Sequence, residues 1–206
     1  MKESNSIKYL ALGDSYTIGE AVAEEENFPN RLRQLSLAAG INMDKPRIIA
    51  KTGWTTDELE TGIREAGQDQ PFESAYGLVT LLIGVNDQYR GRPVEKYVSR
   101  FGSLLKKAIQ FAGNDPHKVV VISIPDWGVT PFAKDRDRKQ IAKEIDLYNA
   151  ANKTISLVND IHYIYITDLT REAANDNKFL ATDGLHPSGL EYERWSQKLL
   201  SYIKKF

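Results

Sequence analysis

A chain of 206 residues, 41% hydrophobic and 27% charged, has the composition of a soluble globular protein large enough to bury a core without covalent staples. Its 27 basic and 28 acidic residues leave a net charge of −1, so no overall field draws it to nucleic acid or to an anionic membrane. With no cysteine, disulfides, thiolate metal sites, haem attachment and a thiol nucleophile are all excluded.

Apolar runs of strand length alternate with longer segments of helical period. "IKYLAL" (7–12) reads as the first strand and stops at Gly13. After a loop rich in Gly and Glu, "FPNRLRQLSLAAG" places Leu32, Leu35 and Ala39 on one helical face, with Gly40 as the stop. "RIIA" (47–50) is a short second strand. "TTDELETGIREA" then offers Thr55 or Thr56 as a helix cap, with acids in the first turn where the helix dipole favours them. "LVTLLIG" (78–84) is apolar throughout, as a strand covered on both faces should be. A helix is predicted over 94–112, a fourth strand over 118–123, a long helix from "KQIAKEIDLYNAANKTISLVND", and a fifth strand from "HYIYIT" (162–167). The last helix is expected to begin near Pro187 and to run to the end of the chain. "KDRDRK" (134–139) alternates in sign and reads as a solvated loop or helix start.

Strand and helix in repeated alternation imply a mostly parallel sheet with helices on both faces: one α/β domain over 1–206, a three-layer αβα sandwich. The first residues carry no uninterrupted apolar segment of the kind a signal peptide needs, so a cytoplasmic location is expected. No apolar stretch approaches the ~20 residues that span a bilayer, so stable membrane insertion is not expected. Neither a G-x-G-x-x-G after the first strand nor a P-loop is present.

In an open α/β sheet, ligands bind beyond the carboxyl ends of the strands. Asp14 and Ser15 follow strand one, Gly53 follows strand two, "GVND" with Asn86 follows strand three, and "PDWG" (125–128) follows strand four. "DGLHP" (183–187) lies between strand five and the last helix. All fall on one rim. The histidines divide under the same test: His117 and His162 precede strands four and five and belong on the opposite edge. His186 alone shares the rim with Ser15.

A serine nucleophile needs a base, and the base needs an orienter for its other nitrogen. Asp183, three residues before His186, is close enough within a turn to serve. The tetrahedral intermediate needs donors for its oxyanion, and the N–H groups of Ser15 and Gly53 with the Asn86 amide would converge from neighbouring strand ends. Each residue also has a plain reading, because Ser, Asp and Asn are ordinary turn residues. Asp14 and Asp87 are read as structural, Asp14 accepting backbone N–H groups around the serine turn. An oxygen-rich metal site from Asp14, Asp87, Asp183 and His186 is the competing arrangement, but it leaves Ser15, Gly53 and Asn86 without roles. Trp54, Tyr89, Trp127 and Phe132 either pack the rim loops or together wall a partly apolar pocket.

"GDS", Gly53, "GVND" and "DGLH", in this order over residues 13 to 186, resemble the four sequence blocks of the SGNH hydrolases, the GDSL-type esterases and lipases. The resemblance implies a flavodoxin-like strand order of 2-1-3-4-5. It implies Ser15 as nucleophile, His186 as base, Asp183 as its partner, and Ser15, Gly53 and Asn86 as the oxyanion hole. Tyr16 stands where the family name has leucine, a departure expected to affect local packing only. The expected activity is hydrolysis of a small acyl ester through an acyl-enzyme, without metal or organic cofactor. Short- or medium-chain esters, lysophospholipids and acetylated sugars all suit this chemistry, as does acyl transfer by the same residues. A non-catalytic binding module on the same scaffold is the rival from another class. The oligomeric state is not readable in the sequence.

Overall fold

The computed structural model describes residues 6–205; residues 1–5, where the leader expectation begins, and residue 206 lie outside them, while the last helix, expected to run to the end of the chain, stops at Ile203 with Lys204 as its cap. Five parallel strands form the sheet: β1 (Tyr9–Asp14), β2 (Arg47–Lys51), β3 (Leu78–Leu82), β4 (Val119–Ile122) and β5 (His162–Ile164), in the order β2-β1-β3-β4-β5. β1 and β3 are buried along their whole length, which is why they read as unbroken apolar runs.

The sheet grows in two directions from β1. The chain steps to one side for β2, then crosses back to β3 and continues outward. Right-handed crossovers therefore put the first long helix on one face and the later ones on the other. α2 (Phe28–Ala38) packs against α8 (Gly189–Ile203), while α3 (Thr56–Asp69), α5 (Val94–Phe111) and α6 (Arg138–Val158) lie side by side. The connections leave β1 and β3 in opposite directions, so the crevice between their carboxyl ends is the topological switch point. Register fixes the neighbours there: Gly13 pairs with Ala50 on one side and with Leu82 on the other.

Three differences from the sequence reading have local causes. The buried stripe of α2 is Phe28, Leu32 and Ser36, and Ala39 is exposed beyond the helix end. α8 packs against α2, its Ser196 hydroxyl donating to the Phe28 carbonyl at 3.0 Å. β5 stops at Ile164 because the Ser123 hydroxyl accepts from the N–H groups of Ile166 and Thr167, turning the chain into α7 (Thr167–Arg171). α8 begins at Gly189, two residues after Pro187, with Ser188 as its cap. Among the described residues no helix is long and apolar enough to cross a membrane.

Candidate active site

The strand ends at the switch point do not run into open loops. β1 passes directly into a four-residue helix, α1 (Ser15–Ile18), and β3 into a five-residue one, α4 (Val85–Tyr89). Ser15 and Asn86 thus stand on the first turns of two short helices at neighbouring strand ends. The turn into α4 depends on Gly84: its φ is +130°, and a Cβ there would meet the Tyr97 ring at 2.6 Å. The turn into α1 depends on Asp14, fully buried, whose Oδ1 accepts from Tyr16 N at 3.0 Å.

Asn86 Nδ2 donates to the Trp54 carbonyl at 3.0 Å and, at 3.4 Å, to Asp14 Oδ2. One amide hydrogen is firmly held and the other only weakly. Gly53, at φ +81°, directs its carbonyl to Arg90 Nη2 at 2.6 Å, and its N–H has no partner among the described residues. Asp87 braces the rim from below, accepting from Thr56 N and Thr56 Oγ1, each at 2.9 Å, and from Arg92 Nη1 at 3.1 Å. Asp87 thereby receives the first N–H group of α3, while the Glu58 carboxylate accepts from Thr55 N at 2.8 Å.

The imidazole arrives from the far side of the sheet. After β5 the chain returns over the rim, and α8 anchors that return beside α2. Within this segment Asp183 Oδ1 accepts from the N–H groups of Leu185 and His186, both at 3.0 Å, while the His186 ring donates Nδ1–H to Oδ2 at 2.6 Å. Burial pushes the Asp183 carboxyl up, but the His186 and backbone hydrogen bonds outweigh it and hold the group below its ordinary range. The carboxylate is ionised near neutrality and fixes the tautomer with a free Nε2. Tyr16 packs on the other side of the imidazole, ring centroids 4.9 Å apart.

Ser15, Asn86 and His186 line one cavity of about 130 Å³. Its remaining wall is apolar: Tyr16 and Val85 are buried and Leu185 part-buried, while the buried Trp127 ring meets the exposed rings of Tyr89 and Phe132. The last three rings form a cluster with centroids 5.2–6.2 Å apart, and Trp127 is locked by its Nε1–H donating to Gln88 at 2.7 Å. The competing metal arrangement is not assembled. Asp14 faces Tyr16 and Asn86, Asp87 faces Thr56 and Arg92, and Asp183 faces His186. His117 lies beside Asp160 and His162 stacks on Tyr202, both at the opposite edge.

A family model for the GDSL-like lipase/acylhydrolases matches residues 11–194, from within β1 into the first turns of the last helix. The chain belongs to the GDSL-like lipase/acylhydrolase family. It is an ester-hydrolysing enzyme on an α/β scaffold of that family. A lipase/acylhydrolase from Enterococcus faecalis superposes with a TM-score of 0.72 at 20% identity, over 97% of this chain and 96% of that one. The psychrotrophic esterase EstA from Pseudoalteromonas sp. gives 0.71 at 18% identity, over 97% and 98%. Axe2, an acetylxylan esterase from Geobacillus stearothermophilus, gives 0.70 at 18%, over 98% and 96%. At these identities the likeness is one of fold. No curated protein sequence matches the chain.

In this GDSL-like acylhydrolase one residue expected at the pocket lies away from it, and one expected only to pack lines it. The Trp54 ring does not reach the cavity: it lies on α3, so close to Gly62 that a Cβ there would fall 2.0 Å from it. Only the Trp54 carbonyl serves the site, by holding Asn86. Tyr16, expected to matter for packing alone, lines the cavity and touches His186. Val85 and Leu185 are cavity residues that sequence reasoning missed, although each is the immediate neighbour of a residue it singled out.

Asp14 has a consequence for pH. Burial, with the nearby Asp87 charge, pushes its carboxyl up to about 8. Burial likewise raises Asp87. A carboxyl that holds its proton more tightly folded than unfolded contributes stability that is full below the ordinary carboxylate range. That contribution is lost as pH rises towards and through about 8, with a slope of up to ~1.4 kcal/mol per pH unit for one group. Urea unfolding at pH 6 and pH 9 should therefore show a lower midpoint at pH 9, and Asp14→Asn should shrink that difference. An equal difference in the variant would mean that Asp14 ionises in the folded protein without penalty.

Proposed function

We propose that the enzyme is a serine carboxylester hydrolase for esters of short acyl groups, with Ser15 as nucleophile, His186 as general base and Asp183 as its orienter. The observation that carries this reading is the shared cavity: a serine, an amide and an imidazole from three separate elements face one space, and the imidazole has one nitrogen already tied. Ser15 Oγ attacks the ester carbonyl as His186 Nε2 takes its proton. The oxyanion is received by the N–H groups of Ser15 and Gly53 and by Asn86 Nδ2, which gives up its weak 3.4 Å contact with Asp14. His186 then returns the proton to the leaving alcohol, and water activated by the same nitrogen releases the acid from the acyl-enzyme. Catalytic hydrogen bonds are often long before substrate binds, so the reading does not require an Oγ–Nε2 bond in the free enzyme.

Cavity size supports a short acyl group. An apolar cavity of ~150 Å³ holds one benzene, so about 130 Å³ suits chains of up to roughly six carbons. The names of two structural neighbours are compatible: Axe2 is an acetylxylan esterase, and EstA is described as an esterase inhibited by monoethylphosphonate. A kcat/KM profile on p-nitrophenyl esters should peak at acetate to hexanoate, and a fluorophosphonate should label one serine per chain. No labelling by the fluorophosphonate would favour a binding module instead. A peak at dodecanoate or beyond would remove the short-chain assignment.

A polar alcohol, such as a sugar, is favoured on the leaving side by one further observation. Past Tyr89 and Trp127 the cavity meets an open groove of about 220 Å³ carrying Arg136, Gln140 and Glu144. Acetylated sugars should then be hydrolysed faster than alkyl acetates, and product analysis with a sugar acceptor present separates hydrolysis from acyl transfer. If Asn86 receives the oxyanion, Asn86→Ala should lower kcat by ~10²–10³-fold. A loss confined to KM would deny it that role.

A further inference from the structure

Behind the catalytic cavity lies a second, much smaller space, a slot of about 10 Å³ that holds no more than one water. Three side chains line both spaces and so form the partition between them: Tyr16, Trp127 and Leu185. Two of the three are tied down. Tyr16 is buried against His186, and Trp127 is buried and bonded to Gln88. Leu185 packs part-buried against the core with no polar tie on its side chain, only its backbone N–H donating to Asp183, so that side chain is the removable part of the wall.

The slot is built for hydrocarbon. Ala173, Phe179 and Leu180 close its far end. The carboxylates and threonine hydroxyls around it are satisfied elsewhere. Asp126 accepts from Gly128 N at 2.9 Å and from Arg171 Nε at 2.8 Å, and Glu191 accepts from Trp195 Nε1 at 2.8 Å and from Arg194 Nη1 at 2.9 Å. The Thr130 and Thr170 hydroxyls donate to the carbonyls of Trp127 and Thr167. A space whose neighbouring carboxylates and threonines are already paired gains little from water and more from an apolar chain.

We propose that Leu185 sets the chain-length limit of this hydrolase, and that the slot behind it is a second subsite for an alkyl chain of the ester. The proposal rests on the assignment of Ser15 and His186 to the chemistry in the outer cavity. Leu185→Ala removes three carbons from the partition without touching the Asp183 turn, whose bonds are to backbone N–H groups. The outer cavity and the slot then join, and the released space accepts about three further methylenes. Each buried methylene is worth about fourfold in kcat/KM, so three give roughly 50-fold.

The test is kcat/KM for the wild type and Leu185→Ala on two series: p-nitrophenyl acetate to decanoate, and acetates of methyl to octyl alcohol. In one series the ratio of the eight-carbon to the two-carbon member (octyl to methyl on the alcohol side) should rise by roughly 50-fold. The series that responds tells whether the acyl or the alcohol chain enters the slot. Adding Ala173→Val, which refills the slot from its far side, should reverse most of the gain. Should Leu185→Ala fail to fold by circular dichroism, Leu185→Val carries the same test with a rise of about fourfold. A folded variant with unchanged ratios in both series overturns the proposal, as does a gain that Ala173→Val leaves intact. A folded Leu185→Ala that hydrolyses no ester also overturns it, since Leu185 would then be a support for its neighbour His186. Full turnover in Ser15→Ala would instead strike at the underlying mechanism, so the two failures are distinguishable.

Discussion

Replacing Ser15 with alanine should lower kcat on a p-nitrophenyl ester by about 10⁵–10⁶-fold while leaving the melting temperature close to that of the wild type. The size follows from what the hydroxyl does in the proposed reaction. Without Oγ no covalent intermediate forms, and His186 has no proton to receive at that point. What remains is the residual catalysis from oxyanion donors acting on attack by water, of order 10³–10⁴ over the uncatalysed reaction. The fold is spared for a specific reason. The turn into α1 is held by backbone groups of residue 15 and by Asp14: the Ser15 carbonyl accepts from the N–H groups of Gly19 and Glu20, and Asp14 caps Tyr16 N. None of these bonds uses Oγ. Retention of more than about a hundredth of wild-type kcat in a preparation free of wild-type enzyme would assign the nucleophile elsewhere.

The route from sequence to this site was legible where geometry is carried by topology. An apolar run that ends in Gly-Asp-Ser, followed by a helix and a second strand, already places Ser15 at a carboxyl strand end. Asp183 and His186 were readable as a pair because a spacing of three inside a turn brings carboxylate and ring within reach, as the 2.6 Å bond shows. The strand order was not readable from periodicity, since a buried strand looks the same at the centre of a sheet and one place away from it; it came from the resemblance of four short blocks. The short helices α1 and α4 escaped notice because four or five residues are too few to show a helical period.

Trp54 illustrates a different failure. Beside Gly53 it looked like a pocket residue, but the ring turns towards α3, where Gly62 leaves a gap for it. The sign was in the sequence: glycine inside an otherwise regular helix costs about 1 kcal/mol relative to alanine, and such a residue often marks a close approach by another group. What a sequence does not reveal is which ring fills the gap. Tyr16 failed in the opposite direction. Its place in the family motif predicts an effect on local packing only, and the neighbour it packs against is His186, in a tilted ring pair.

Asp183→Asn should reduce kcat by about 10⁴-fold, almost as severely as loss of the serine, even though asparagine matches aspartate in shape. Asp183 uses its two oxygens for separate tasks. Oδ1 accepts from Leu185 N and His186 N and so makes the turn; Oδ2 accepts from His186 Nδ1. Asparagine can keep the first task, because its carbonyl oxygen also accepts, and the loop should hold its place. At the second position it presents N–H groups. The imidazole then meets a donor, is driven to the tautomer that carries its proton on Nε2, and faces Ser15 with a donor where an acceptor is required. The defect is therefore electronic, which yields a sharp signature: near-wild-type melting temperature, little change in KM and a collapsed kcat. Labelling by a fluorophosphonate should slow in parallel, since that reaction needs the same proton transfer. Because the Asp183 carboxyl is held below its ordinary range, the wild type should keep this bond intact well into mildly acid solution. A variant that loses activity only by unfolding, or that keeps kcat and raises KM, would make Asp183 a turn residue whose second oxygen has no part in the chemistry.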